Sequence, residues 1–391
     1  MITVQHSRGY RMTKIYLIRH GEAEGNLYRI WQGSTDGKIT PRGALQLEAL
    51  AKRFQDVPLD ALYSSDRVRA MDTALALKRG HEELELQTSS DLREIDVGPW
   101  EGVAFANTVR SDPREMECFN NDPDRFFLEG AETFSQVLAR MKRILLQIAG
   151  DYPDGTVAVA SHGMAIRTIL AWIQKIPSAE MRSFRHGDNT SVSLVTVEDG
   201  EFSVVYTHDN SHLEGDLSTL AKQNWYKNKS GRNTNDLWDE PLKLPKDSLL
   251  YIRCYEGSWR AAHGTPEGFV ASPYLTAARN HLKKAPDSIV KLYMDEELAG
   301  LLELDPDRGK EEEKGWISLL YLRPEYRGKG LGIQLLGRAV MYFRAKGRTA
   351  IQLHVSKDNL AAQKFYRKHG FEILDVHRGI LTDLYLMEKE I

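Results

Sequence analysis

The stretch KIYLIRHGEAEGN (14–26) decides the fold of the first half of this chain. A short apolar run rich in β-branched and aromatic residues stops abruptly at Arg19-His20-Gly21, the pattern of a buried strand that opens into a glycine-containing turn. The pattern returns at TVAVASHGMAIR (156–167), where a second β-rich run ends in Ser161-His162-Gly163 and leads into an apolar helical stretch. Two histidines therefore leave the C-terminal ends of two strands, the edge at which open parallel sheets bind ligands.

Working outward, strand and helix signals alternate. A helix follows Thr40-Pro41 to about Phe54, a strand covers LDALYSS (59–65), and helices run from Asp66 to about Lys78, Glu132 to Ala149 and Met164 to Gln174. This alternation predicts a largely parallel sheet covered on both faces. SVSLVTVEDGEFSVVYTH (191–208) reads as a hairpin turning at Glu198-Asp199-Gly200. Periodicity is lost over 214–247, where KNKSGRNTND (227–236) marks a linker between domains spanning 12–213 and 248–391. The second domain is expected to open with a strand, SLLYIRCY (248–255), and to continue through SIVKLYM, LAGLLEL, WISLLYL, AIQLHV and TDLYLMEKE. Helices are expected at about 272–284, 331–346 and 359–369. The acidic run EEEK (311–314) reads as a solvated loop, and residues 1–11 as a leader outside the fold.

Composition sets the bounds. At 391 residues, the length calls for two domains, and 41% hydrophobic with 27% charged residues is an ordinary globular balance. With 52 Lys+Arg against 55 Asp+Glu, the net charge of −3 creates no field that would draw the chain to nucleic acid or an anionic membrane. No apolar run has the length of a membrane span or a secretion signal, and two cysteines, Cys118 and Cys254, form no disulfide framework, so a cytoplasmic protein is expected.

Phosphate chemistry needs a few well-placed cations. LYSSDRVRAMDTA (62–74) sets Arg69 in the first turn of a helix, where N–H groups and the helix dipole already favour an anion, and DLREIDVGPWEG (91–102) places Glu94 before a turn. Together with LIRHGEAEGN, QGSTDGKITPRG (32–43), EGAETF (129–134), SHGMAIR and NSHL (210–213), these segments resemble the histidine phosphatase superfamily, the phosphoglycerate mutase-like proteins, over roughly 13–213. The resemblance implies a three-layer α/β/α fold and metal-independent hydrolysis of a small phosphate ester. His20 would be the phosphorylated nucleophile and Glu94 the general acid and base. Arg19, Arg69 and His162 would form the phosphate pocket, with Asn26 and Gly33 touching the phosphoryl group or its ester. Arg67 is a departure from the family pattern and reads equally as an extra cation near the pocket mouth or as part of a solvated helix face. A mutase-type phosphotransferase is the alternative reading.

In the second half, WISLLYLRPEYRGKGLGIQLL (316–336) joins a strand to a helix through Arg327-Gly328-Lys329-Gly330-Leu331-Gly332, a loop whose backbone N–H groups can wrap a pyrophosphate. With AIQLHVSKDNLAAQKFYRKHGF (350–371), this loop resembles the GNAT acetyltransferase family and its α+β acyl-CoA N-acyltransferase fold. The resemblance implies acetyl-CoA held by Arg327, Gly328, Lys329, Gly330 and Gly332 and by backbone at Leu320 and Leu322. Asn359 would contact the cofactor, and Tyr366 would bind it and protonate the departing thiolate. Glu303 on LAGLLEL is the candidate base toward an amine acceptor, with a surface or structural role as the equal alternative, and His354 reads as a core residue. The whole chain then reads as a bifunctional phosphatase and N-acetyltransferase, with no metal and with a homodimer as one expected assembly; a second domain that only senses acetyl-CoA is the alternative.

Overall fold

The computed structural model describes residues 12–222 and 236–391. They form two compact units, one of residues 12–103 and 108–222, the other of 104–107 and 236–391. The expected leader, Trp225 and nearly all of KNKSGRNTND lie outside the described residues.

The first unit contains β1 (Met12–Arg19), α1 (Glu24–Tyr28), α2 (Pro41–Phe54), β2 (Ala61–Ser64), α3 (Val68–Leu77) and β3 (Leu86–Thr88). It continues through α4 (Phe105–Ser111, whose residues 105–107 group with the second unit), α5 (Pro113–Asn121), α6 (Phe134–Asp151), β4 (Thr156–Ser161), α7 (Gly163–Ile173), β5 (Val192–Glu198) and β6 (Glu201–Asp209). The sheet order is β3-β2-β4-β1-β5-β6, with β1–β4 parallel and the β5–β6 hairpin closing one edge antiparallel. Side-chain alternation sets the layers. Ile15, Leu17, Val157 and Val159 face α6 and α7 through Val137, Ile144, Ile166 and Ile169, whereas Ile18, Ala158 and Ala160 face α2 and α3 through Leu50, Phe54, Ala74 and Leu77. Each fully buried Val, Leu, Ile or Phe side chain among these stabilises the unit by about 1.5–3 kcal/mol. Helix starts follow the capping chemistry: Thr40 accepts from the Gly43 N–H before Pro41, and Thr133 and Gln136 form a capping box for α6. Helices α4 and α5, between Trp100 and Gly130, are additions to the sequence expectation.

The second unit contains β7 (Trp238–Pro241), α8 (Ser248–His263), α9 (Ala271–Lys284), β8 (Ile289–Met294), β9 (Glu297–Asp305), β10 (Lys314–Leu322), α10 (Gly332–Arg344), β11 (Ala350–Ser356), α11 (Leu360–Lys368), β12 (Glu372–His377) and β13 (Leu384–Glu390). Its sheet runs β12-β13-β11-β10-β9-β8-β7. SLLYIRCY is helix α8, not the expected strand. Tyr251, Cys254 and Tyr255, spaced i, i+3, i+4, bury one helical face against Ile289, Leu301 and Leu319 of the sheet, and this packing overrides the β-propensity of the run. The stretch read as linker takes part in folded structure at both ends: residues 217–220 hydrogen-bond into the first unit, and Trp238–Pro241 is an edge strand paired with β8. Strand β12 also escaped the sequence reading, because its inward side chains are half exposed and its apolar contrast is weak. Glu311, Glu312 and Glu313 lie in an exposed turn. Among the described residues, no helix is long and apolar enough to cross a membrane.

Candidate active site

Parallel pairing builds the first site. Arg19 of β1 lies opposite Ser161 of β4, and the His20 N–H donates to the Ser161 carbonyl at 3.0 Å, so the two histidines emerge side by side. Their ring centroids are 5.1 Å apart at 60°. His20 Nδ1 lies 2.7 Å from the Gly21 carbonyl. A carbonyl can only accept, so Nδ1 carries the proton and Nε2 presents its lone pair. Burial, then the charges of Arg69 and Arg19, holds the His20 pKa well below the usual histidine range; His162 is shifted the same way by burial, Arg69 and His20. Both imidazoles are therefore neutral near pH 7.

Two guanidiniums are seated by backbone carbonyls. Arg69, 1% exposed, donates from Nη1 to Thr35 O at 2.7 Å and from Nη2 to Gln32 O at 3.1 Å and Gly33 O at 3.0 Å. Arg19 donates to Gly187 O at 2.6 Å, its pKa lowered by burial and supported by Asp188 and Glu94. Arg19 Nε and both ring nitrogens of His162 are buried without a hydrogen-bond partner. Since buried polar atoms are almost always paired, the Arg19 Nε–H and the one ring N–H of neutral His162, beside a second arginine, fit an oxyanion. Gly163 packs closely here: a Cβ would sit 3.2 Å from Arg19 Nε, so the guanidinium would have to shift by a few tenths of an ångström.

Glu94 closes the pocket. Helix α7 begins at His162 without a side-chain cap, and its first amides turn to Glu94: Met164 N–H donates to Oε2 at 2.9 Å and Ala165 N–H to Oε1 at 2.9 Å, while Ile95 N–H also donates to Oε1 at 3.0 Å. Asn26 lies near the loop that carries His20, its Oδ1 accepting from Ala23 N–H and from Asn189 Nδ2 at 3.3 Å. Gly33 packs where a Cβ would stand 2.2 Å from Ile95 O. Arg67 lies 4.0 Å from Asp36, with its Nε buried and unpartnered.

In the second unit β10 and β11 pair in parallel only from Lys314–Ala350 to Ile317–Leu353, and β10 is bulged between Ile317 and Leu319. Beyond that point the strands part, so Leu320 and Leu322 lie on a β10 edge with no partner toward β11. The loop that follows carries Gly328 at φ +72° and Gly330 at φ +76°, with open space where a Cβ would stand, so the requirement for glycine just before α10 is conformational. Arg327 Nε donates to Leu322 O at 2.8 Å, and Lys329 Nζ is 5.6 Å from the Tyr326 ring. Asn359 caps α11 through the Ala362 N–H at 3.1 Å. Tyr366 packs against Phe365 and Phe371, and burial raises its pKa, so the phenol keeps its proton. Glu303 is 0% exposed: Oε2 accepts from Tyr251 at 2.7 Å and from Tyr255, and Oε1 pairs with His281 at 2.8 Å. The expected base thus has three partners and no exposed surface. His354 is half-buried, bonded to His377 at 2.9 Å.

Residues 15–210, half of the chain, match the histidine phosphatase superfamily (branch 1). The chain belongs to the histidine phosphatase superfamily. Residues 250–371 match the acetyltransferase (GNAT) family, so a phosphatase domain is followed by an acetyltransferase domain. The chain is 28% identical over 202 residues to phosphoserine phosphatase 1 of Hydrogenobacter thermophilus, covering 52% of this chain and 95% of that protein. It is 31% identical over 205 residues to a metal-independent phosphoserine phosphatase of Arabidopsis thaliana, covering 52% and 84%. The solved structure of Bacillus stearothermophilus YhfR aligns with a TM-score of 0.50 at 31% identity, over 52% of this chain and all of that one.

Three supports of the histidine phosphatase site went unread in the sequence. Glu101 accepts from Gly33 N–H at 3.0 Å, Ser34 N–H at 2.7 Å and Thr35 Oγ1 at 2.8 Å, and so holds the loop whose carbonyls seat Arg69. Arg140 bonds Asp91 O at 2.9 Å, Arg93 O at 2.6 Å and Glu94 O at 3.1 Å, fixing the segment that carries Glu94. Asn189 Nδ2 donates to His20 O at 3.0 Å. The Gly-x-Trp-Glu-Gly turn was a visible signal for Glu101; nothing local marks Arg140 or Asn189.

Proposed function

We propose that the first domain hydrolyses a small phosphate monoester, with phosphoserine the leading substrate, through a phosphohistidine at His20. The observation that carries this reading is a neutral His20, with its lone pair on Nε2, whose ring lies 5.1 Å from that of His162, in a site where the buried Arg19 Nε and His162 ring nitrogens have no hydrogen-bond partner among the described residues. Nε2 attacks phosphorus in line, an N–P bond forms and the ester P–O bond breaks. Arg19, Arg69 and His162 stabilise the charge on the equatorial oxygens. Glu94 gives its proton to the departing alkoxide, then takes one from the water that attacks phosphorus as the N–P bond breaks. With two N–H groups on Oε1 and one on Oε2, the open lone-pair site for that proton is on Oε2. Two relatives named as phosphoserine phosphatases support the substrate class. Phosphate release from phosphoserine, with an acid-labile, base-stable phosphoenzyme trapped on rapid quenching, is expected in wild type with or without EDTA and lost in His20→Ala. Hydrolysis that persists in His20→Ala would overturn the reading.

The second domain is read as an acetyl-CoA-dependent N-acetyltransferase. Acetyl-CoA, when bound, supplies an activated thioester. The Arg327–Gly332 loop would hold its pyrophosphate, the unpaired edge at Leu320 and Leu322 its pantetheine, and the Asn359 amide nitrogen, left free by capping, a further polar group. The neutral Tyr366 phenol would protonate the thiolate. The sealed Glu303 favours a second reading, an acetyl-CoA-sensing domain: CoA release across an amine panel supports transfer, whereas phosphate release that changes with acetyl-CoA and no CoA release supports sensing.

A further inference from the structure

The family match ends at residue 210, yet the segment Leu217–Leu220 is bonded to the floor of the phosphatase site. Asp188, 3% exposed, is its main anchor: Oδ1 accepts from Thr219 N–H and Leu220 N–H, each at 3.1 Å, and Oδ2 accepts from Ser218 Oγ and from Asn210 Nδ2 at 3.2 Å. A second anchor is the nucleophile loop itself. Thr219 Oγ1 donates to Glu22 Oε2 at 3.2 Å and accepts from Gln46 Nε2 at 2.9 Å, and Gln46 Nε2 also donates to Leu217 O at 2.7 Å. Gln46 Oε1 in turn accepts the Glu22 N–H at 2.8 Å.

Both anchors adjoin groups that must be placed accurately. Glu22 is two residues from His20. Asp188 lies between Gly187, whose carbonyl takes Arg19 Nη1, and Asn189, whose amide takes the His20 carbonyl, and its charge faces the buried Arg19 guanidinium. The five groups that 217–220 sends into Asp188, Glu22 and Gln46 therefore tie together the two loops that hold the nucleophile and one arginine of the phosphate pocket.

We infer that residues 217–220 are a clasp of the phosphatase site, and that Thr219 and Asp188 are positioning residues acting through Arg19 and His20. The clasp lies outside the family's matched segment. The inference rests on His20 as nucleophile, a reading that fails separately, if His20→Ala stays active.

The test uses full-length protein with p-nitrophenyl phosphate as substrate and vanadate as the phosphate mimic. Thr219→Val keeps shape but removes both Oγ1 bonds; kcat/KM is expected to fall about tenfold, with weaker vanadate inhibition, and Thr219→Ser to restore both. Asp188→Asn removes the charge facing Arg19 and is expected to cost about a hundredfold with unchanged melting of the second domain. Hydrogen exchange on wild type gives a readout independent of variant folding: the Thr219 and Leu220 amides are expected to slow further when vanadate binds. Wild-type kcat, KM and vanadate inhibition in Thr219→Val, or clasp amides indifferent to vanadate, would overturn the inference.

Discussion

The His281–Glu303–Asp305 group gives the second domain a calculable pH dependence. His281 Nδ1 is 2.8 Å from Glu303 and Nε2 is 3.4 Å from Asp305, with its side chain 12% exposed. Burial pulls its pKa down, but hydrogen bonds and charge from Asp305 and Glu303 outweigh it and push the pKa up to about 9 from 6.5. A histidine with a raised folded-state pKa stabilises fully below its unfolded pKa and loses that stability as pH rises through the folded one. Here the window runs from about pH 6.5 to about 9, and the difference corresponds to about 3 kcal/mol. For a unit of this size, that lowers the melting temperature by roughly 10 °C. In His281→Gln the second domain should melt lower at pH 6.5 and show no such decline, because an amide cannot gain or lose the proton. Thermal unfolding of both proteins from pH 6 to 9, followed by hydrogen exchange at amides of β8 to β11, measures it. Equal pH slopes in the two proteins would refute the assignment of the proton to His281.

Three further outcomes are expected. Gly33→Ala should lower both phosphatase kcat/KM and the stability of the first domain, by about 1–3 kcal/mol, since the new Cβ would meet Ile95 O at 2.2 Å and displace the carbonyls that seat Arg69; chemical denaturation and steady-state kinetics read the two effects. The pH profile of phosphatase kcat/KM, with the substrate phosphate's own ionisation at about pH 6 accounted for, should show no enzyme acid limb at the ordinary histidine pKa of about 6.5, because the depressed His20 pKa keeps its imidazole neutral well into acid; an enzyme limb at that pH would contradict it. Arg327→Ala should raise the KM for acetyl-CoA about tenfold in a CoA-release assay while leaving the phosphatase unchanged, the scale of one lost charge-assisted contact.

Much of the phosphatase site was legible because its chemistry is written in short motifs. Arg19-His20-Gly21 and Ser161-His162-Gly163 each end a strand, so one parallel register suffices to bring them together. The supports were not legible for the opposite reason. Arg140 acts from 46 to 49 residues away on the backbone of Asp91 to Glu94, and Asp188 receives amides from 31 and 32 residues downstream. Backbone carbonyls and amides are the same at every position, so no residue pattern announces such contacts.

Residue order alone thus determined that there are two domains, a histidine phosphatase domain followed by an acetyltransferase domain, and singled out the side chains proposed to carry their chemistry. Only the tertiary structure decided which of those side chains is free to act. Glu303 reads as an available base on a strand, yet three partners in the folded chain enclose it. SLLYIRCY reads as a strand, yet a sheet face across its i, i+3, i+4 stripe makes it a helix. Thr219 reads as linker, yet it closes on the nucleophile loop. In each case a local preference of a kcal/mol or less met burial and pairing of larger size, which depend on neighbours distant in the chain.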